Sequence, residues 1–348
     1  MVWFCLVGYL VFSNFFVETS HKKNKKIIYI ILAAIGIVFV MGSRALDYPR
    51  INDVTVYVRY YELISGSTWQ NIVSERFFGF EIGYVLFCKG LSYISKEPQT
   101  LFYAEAVVCV TCFSIFAYKN SKNLMDSFII FVSFGLLGFM LSGIRQAIAM
   151  SICLLGVEFI KKKKFLPFAL VVGIAFLFHQ TALVFLPVYW IARRKITVTN
   201  FLVIGLIYFL ILIFRNQIID LANNLFHRNY SLNTYQGTGI GNFIVFAFVL
   251  MLYFMFEKDN TDYQIGYNLS VVALLLFILS FFTSEIIQRI SLFFYFGTAI
   301  AIPNLYPRDK ESKLIFRILL IAVALVSIAF RFMDSLYGDY HFFWQING

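Results

Sequence analysis

The chain has 348 residues, 60% of them hydrophobic and only 14% charged, with a mean hydropathy of +0.77. Soluble domains carry about 45–50% apolar and about 25% charged residues, so this composition excludes a water-soluble globular protein. The formal net charge of +10 does not point to nucleic acid as a partner, because the basic residues are scattered through short breaks between apolar runs, where they report membrane topology.

Apolar runs recur from end to end without strict alternation, which excludes a transmembrane barrel and predicts an all-α polytopic integral membrane protein, a single transmembrane domain over 1–348. In chain order, 2–17 has no basic residue before it and no small-residue cleavage site after it, which predicts a retained anchor rather than a signal peptide. Lys22, Lys23, Lys25 and Lys26 follow and mark a cytoplasmic turn, as do the basic clusters at 161–164, 193–195 and 308–313. The run 27–42 then goes outward, leaving 43–78 as an external loop. Between 79 and 123 the parity fails: if Lys96, Lys119 and Lys122 are all cytoplasmic, 101–118 is no simple crossing, and a re-entrant segment is required somewhere in that stretch. Runs 126–141 and 146–160 form a hairpin with its outer tip at Arg145, and 165–178 and 181–192 form another with its tip at His179. Further spans are expected at 198–214, 242–256, 265–283, 290–304 and 314–330, leaving 215–242 outside. The total is about 11–13 spans.

With the loops so assigned, lysine concentrates inside, while the outer side carries Arg44, Arg50, Arg59, Arg76, Arg145, Arg215, Arg228, Arg289 and Arg331 and essentially no lysine. A rule about charge alone would deplete both residues there. Planar bidentate donors suit phosphates and carboxylates better than a point ammonium does, so either an anionic ligand or pairing with acids such as Asp47, Asp53 and Glu62 explains the arginines. Arg145 opens a helix, where its guanidinium joins the free amides of the first turn in a natural anion site. His179 is one of four histidines and serves either as a proton acceptor or as a hydrogen-bonding orienter. Glu81 pairs with an arginine or contacts a substrate, and Arg289 follows Glu285 by one helical turn. The tyrosines outside, among them Tyr57, Tyr84 and Tyr235, fit interfacial anchoring and sugar stacking equally. Cys109 and Cys112 form a CxxC with no second pair or nearby histidine, which reads as packing. No metal or cofactor is expected.

Several of these residues fall into a pattern: an outer arginine then Asp-x-x-x-Tyr (Arg44, Asp53, Tyr57), Glu-x-Gly-Tyr (Glu81, Gly83, Tyr84), Ile-Arg-Gln-x-Ile-Ala at 144–149, Phe-His-x-Thr-Ala at 178–182, and a boundary arginine before aromatic residues and proline (Arg289, Tyr295, Pro303). This resembles the EpsG-like family of Wzy-type polysaccharide polymerases across nearly the whole chain. The resemblance implies a GT-C-type membrane glycosyltransferase without a cofactor, acting on the periplasmic side of the bacterial inner membrane. It would move a growing glycan from undecaprenyl pyrophosphate to a lipid-linked repeat unit, as in O-antigen or exopolysaccharide synthesis, with a chain-length regulator as a protein partner. On that reading Arg145, Arg289 and His179 are catalytic, and Arg44, Asp53, Tyr57, Glu81, Tyr84, Arg228 and Tyr235 bind substrate; Asp47 competes with Asp53 for its role. An O-antigen ligase shares the donor but calls for a large late periplasmic loop. A flippase for lipid-linked oligosaccharides calls for internal repeats, and none is visible.

Overall fold

The computed structural model describes residues 1–20, 24–49, 52–194, 206–207, 209–211, 213–226, 261–283, 285–305, 310–332 and 339–345. Among them there is no β-strand, only an isolated bridge between Arg44 and Phe342. The predicted spans at 198–214 and 242–256, and the residues Arg50, Arg228 and Tyr235, lie wholly or largely outside the described residues.

The protein is an all-α polytopic membrane protein. Five stretches among the described residues are long and apolar enough to cross a bilayer: Val2–Thr19 (α1), Lys25–Gly42 (α2), Gln99–Asn120 (α6), Ile286–Asn304 and Glu311–Phe330. The last of these lies within the helix Lys310–Phe332, labelled α17 below. Two further crossings are broken helices: Leu124–Ser133 (α7) continues as Leu136–Met140 (α8), and Ile144–Leu155 (α9) continues as Val157–Lys161 (α10). The first break falls at Gly135, whose φ of +99° only glycine adopts without strain. All ten residues of α7 are buried, Asp126, Ser127 and Ser133 included. Phe113 of α6 stacks on Phe131 of α7 at 4.2 Å, and serine and asparagine side chains join helices across the core: Ser127 Oγ donates to Ala299 O at 2.7 Å and Ser327 Oγ to Ser133 O at 2.9 Å. Lipid is as apolar as leucine, so packing of this kind and interhelical hydrogen bonds of about 0.6 kcal/mol each hold such a bundle together.

Hydrogen bonds sort the helix termini into two ends. At one end Lys161 Nζ donates to Asn120 Oδ1 at 3.2 Å, Lys122 N to Asn304 Oδ1 at 2.8 Å, and Asn268 Nδ2 to Arg194 O at 2.7 Å. At the other, Gln99 Nε2 donates to Arg44 O at 2.9 Å, Gly83 N to Leu177 O at 2.8 Å, and Gln146 Nε2 to Arg289 O at 2.7 Å. The lysine clusters thus share one end, and Arg145, His179 and Arg289 share the opposite one.

This arrangement also settles the stretch 79–123. Ile82–Ser92 (α5) has 11 residues and, at 1.5 Å per residue, a length of about 16 Å, half the hydrocarbon thickness. It starts beside Leu177 and is followed by Ser95, whose carbonyl accepts from Tyr61 Oη at 2.8 Å. Both flanks of α5 therefore lie at the arginine end, α5 does not cross, and α6 crosses alone. Lys96 consequently lies at the arginine end, away from Lys119 and Lys122, so the three lysines do not share one side and the arginine end is not free of lysine. A second lysine, Lys89, is buried there with its Nζ donating to Ser67 O at 2.7 Å and Ile64 O at 3.3 Å, where the C-terminus of Asn52–Gly66 (α3) favours a cation.

The hairpin after 165 also differs in detail from expectation. Its outgoing arm, Phe165–Phe176 (α11), is α-helical, but the returning arm begins as a 3₁₀ turn over Gln180–Phe185 and becomes α-helical only at Val188–Ile191 (α12). Pro187 explains the change, since it has no N–H to donate back to the carbonyl four residues earlier.

Candidate functional site

Four segments distant in sequence meet at the arginine end. The segment 43–78, expected as a loop, is helical in part: α3 buries Val54, Tyr57, Tyr61 and Ile64, a spacing of three and four that makes one face of a helix. That face lies on α5 and puts Asp53 and Tyr57 at its start. Between α3 and α5 the chain turns through Arg76, Phe77 and Phe78, all at positive φ (48°, 56° and 53°), a sparsely populated region for bulky residues. Phe80 and Glu81 follow directly.

Gly83 explains why Glu-x-Gly-Tyr has its glycine. A Cβ there would come within 2.6 Å of Leu177 O, so only glycine lets the start of α5 touch the end of α11. That contact sets Glu81 beside His179, whose backbone is extended (φ −158°, ψ 125°) as the chain leaves α11.

Glu81 is the hub. Its Oε2 accepts from Arg145 Nη1 at 2.5 Å, and its Oε1 contacts His179 Nδ1 at 3.1 Å and the Gln180 amide at 3.4 Å. Burial alone would raise its pKa, but the hydrogen bond to His179 and the charge of Arg145 outweigh it and hold the carboxyl at about 2. An ionised carboxylate has no proton to give, so the hydrogen between Oε1 and the ring sits on Nδ1, and in the neutral ring Nε2 of His179 is left as an acceptor. The Arg145 guanidinium lies over the Phe80 ring at 4.6 Å and near Tyr57 at 5.8 Å, which fixes its plane. No side chain caps the N-terminus of α9 at Gly143.

Across the opening, Arg289 Nη1 stands 3.6 Å from Asp53 Oδ2, both side chains about half exposed. A cavity of about 150 Å3 lies between these groups, walled by Asp53, Tyr57, Arg145, His179 and Arg289 among others. Five of the residues singled out from the sequence therefore share one cavity, with Glu81 tied to two of them. Tyr84 is fully buried, its ring 5.9 Å from Tyr57 and 5.5 Å from Phe80, and supports the wall from within. Arg44 stands apart: it is fully buried, its Nη2 is 2.8 Å from Glu105 Oε2, and it stacks on Phe102 at 3.9 Å. Asp47 faces His341 at 3.2 Å. Phe80 and Gln146 are site residues that the sequence reading did not assign, although both sit inside or beside its motifs.

The family model of the EpsG family matches residues 27–345. No curated protein and no solved structure matches the chain. The chain belongs to the EpsG family, a family of exopolysaccharide or Wzy-like polymerases.

Proposed function

We propose that this protein extends a surface polysaccharide on the periplasmic face of the bacterial inner membrane, moving the growing glycan from undecaprenyl pyrophosphate to the free sugar end of a lipid-linked repeat unit. The observation that carries the reading is the meeting of Arg145, Arg289 and His179 at one cavity. Such a transfer needs donors for a pyrophosphate leaving group and an acceptor for the proton of a sugar hydroxyl, and no nucleotide sugar.

In this mechanism the acceptor hydroxyl gives its proton to His179 Nε2 while its oxygen bonds to the anomeric carbon of the donor. The bond from that carbon to the pyrophosphate oxygen breaks, and the electron pair leaves with the lipid pyrophosphate. Arg145 and Arg289 stabilise the charge that develops there; the Arg145 Nε is buried with no hydrogen-bond partner among the described residues, and a phosphate oxygen would supply one. Glu81 steadies the imidazolium and fixes its ring, as a carboxylate does for a catalytic histidine. With both its oxygens engaged, Glu81 is a positioning residue in this scheme, whereas Asp53 is exposed enough to meet the acceptor sugar.

The test is to incubate the purified protein in nanodiscs with lipid-linked repeat units alone. A ladder of glycan lengths, with one undecaprenyl pyrophosphate released per new linkage, is expected. Transfer only when lipid A core is added would replace this reading with ligation. Movement of repeats across proteoliposomes without a ladder would replace it with transport.

A further inference from the structure

A second cavity, larger than the one at the site, lies at the opposite, lysine-rich end. It has a volume of about 370 Å3 and opens where α1 ends, where α2 and α7 begin, and beside α17. Its wall carries Lys25, Lys26, Lys122 and Arg317 against a single acid, Glu18. Glu18 is already engaged by Lys25, whose Nζ stands 3.7 Å from Oε2. Neither Lys26 nor Lys122 has a side-chain carboxylate partner among the described residues.

Two further features point to an anion that brings acceptor oxygens. Tyr29 lines the cavity and is 2% exposed, yet its hydroxyl is buried with no hydrogen-bond partner among the described residues; such a donor is costly to leave unsatisfied. The N-terminus of α7, ten residues long, opens on the same space. Asn123 caps it by accepting from the Asp126 amide, and the Asp126 carboxylate in its first turn stands 3.9 Å from Arg317, leaving Lys26 and Lys122 as the cations for a ligand. On α17, Leu314 and Ile318, near Arg317 in the chain, are exposed apolar side chains, and so is Phe16 near the end of α1. A free anion has no use for an apolar rim, whereas a phospholipid does, and basic pockets between transmembrane helices are a known form of headgroup site.

We propose that this cavity holds the phosphate of an anionic membrane phospholipid, with Lys26, Lys122 and the Tyr29 hydroxyl as its ligands and the acyl chains lying along the exposed apolar flank. The site is independent of the polymerase assignment. It can be tested on the delipidated full-length protein in mild detergent, by native mass spectrometry and thermal unfolding, with phosphatidylglycerol, phosphatidylcholine or inorganic phosphate added. Phosphatidylglycerol is expected to bind and raise the melting temperature, phosphatidylcholine is not, and the Lys26→Gln/Lys122→Gln variant should bind phosphatidylglycerol about thirtyfold more weakly. Unchanged affinity in that variant, or equal binding of phosphatidylcholine, would overturn the proposal. Stabilisation by inorganic phosphate without binding of phosphatidylglycerol would make it a free-phosphate site and overturn the headgroup assignment. If the double variant does not fold, Tyr29→Phe decides: severalfold weaker binding is expected, and native affinity in a folded variant refutes the role given to the hydroxyl.

Discussion

Glu81→Gln removes one charge and one acceptor from the centre of the site while keeping the side chain's shape. The native carboxylate serves three donors, Arg145 Nη1, His179 Nδ1 and the Gln180 amide. A glutamine has a single carbonyl, so its NH₂ must face either the guanidinium or the imidazole N–H. Losing a charge-assisted hydrogen bond costs about 1.5–3 kcal/mol, and stripping the partner from a buried ion costs about 3–5 kcal/mol. The Arg145 side chain keeps 15% exposure, and the amide retains one good bond. A loss of about 2–3 kcal/mol of stability is therefore expected, toward the lower figures. Turnover should suffer more than stability, because nothing then holds the proton on Nδ1; a loss on the order of 10²-fold or greater is expected. The assay is glycan ladder formation from purified lipid-linked repeat units, normalised to folded protein, with thermal unfolding in parallel. Reduced stability with native turnover per folded molecule would refute the claim that Glu81 orients His179. Native values of both would refute the hub.

Arg145→Lys is expected to be nearly as inactive as Arg145→Ala, because the ammonium keeps the charge but cannot serve Glu81 and a phosphate with one planar group; wild-type chain lengths at equal protein level would refute a bidentate role. In a Cys5→Ser background, cysteines placed beside Arg145, His179, Arg289 and Lys96 should react with an impermeant thiol reagent from one side of the membrane, and cysteines beside Lys162 and Arg194 only from the other; labelling of Lys96's neighbour with the second group would refute the short, non-crossing α5. Because Glu81 sits at about 2 in the folded protein against an ordinary 4.5, its charged form is favoured by folding, so its stabilisation is complete above about pH 5 and fades as pH falls toward 2. The gap in melting temperature between wild type and Glu81→Gln should accordingly narrow as pH falls from about 5 toward 2, and a gap that does not narrow over that range would contradict the ion pair.

The membrane class and most helix positions were legible because hydropathy and lysine placement are physical constraints that act along the chain. The cavity residues were legible for a different reason: ionisable groups at the ends of apolar runs are costly and stand out. Arg44 shows the limit. Sequence position placed it with the other outer arginines, yet its partner is Glu105, an acid in the middle of the apolar run 99–120. That acid was visible in the sequence and needed a cation, but nothing local said which one. The short α5 was hidden because its apolar character equals that of a span; only the contact of Gly83 with Leu177 and of Tyr61 with Ser95 shows that both its flanks stay at one end. The pairing of Glu81 with both Arg145 and His179 joins residues 64 and 98 positions apart, a distance over which sequence periodicity carries no information.

The claim on which the account turns is that His179 accepts the proton of the attacking sugar hydroxyl. His179→Gln tests it directly, since glutamine can keep a hydrogen bond to Glu81 but cannot take up a proton near neutral pH. Measured as linkages formed per minute by folded, purified protein on lipid-linked repeat units, the variant should bind the donor normally and lose about 10²–10⁴-fold in turnover. Turnover within a few fold of wild type would contradict the base assignment and leave His179 as an orienting group only.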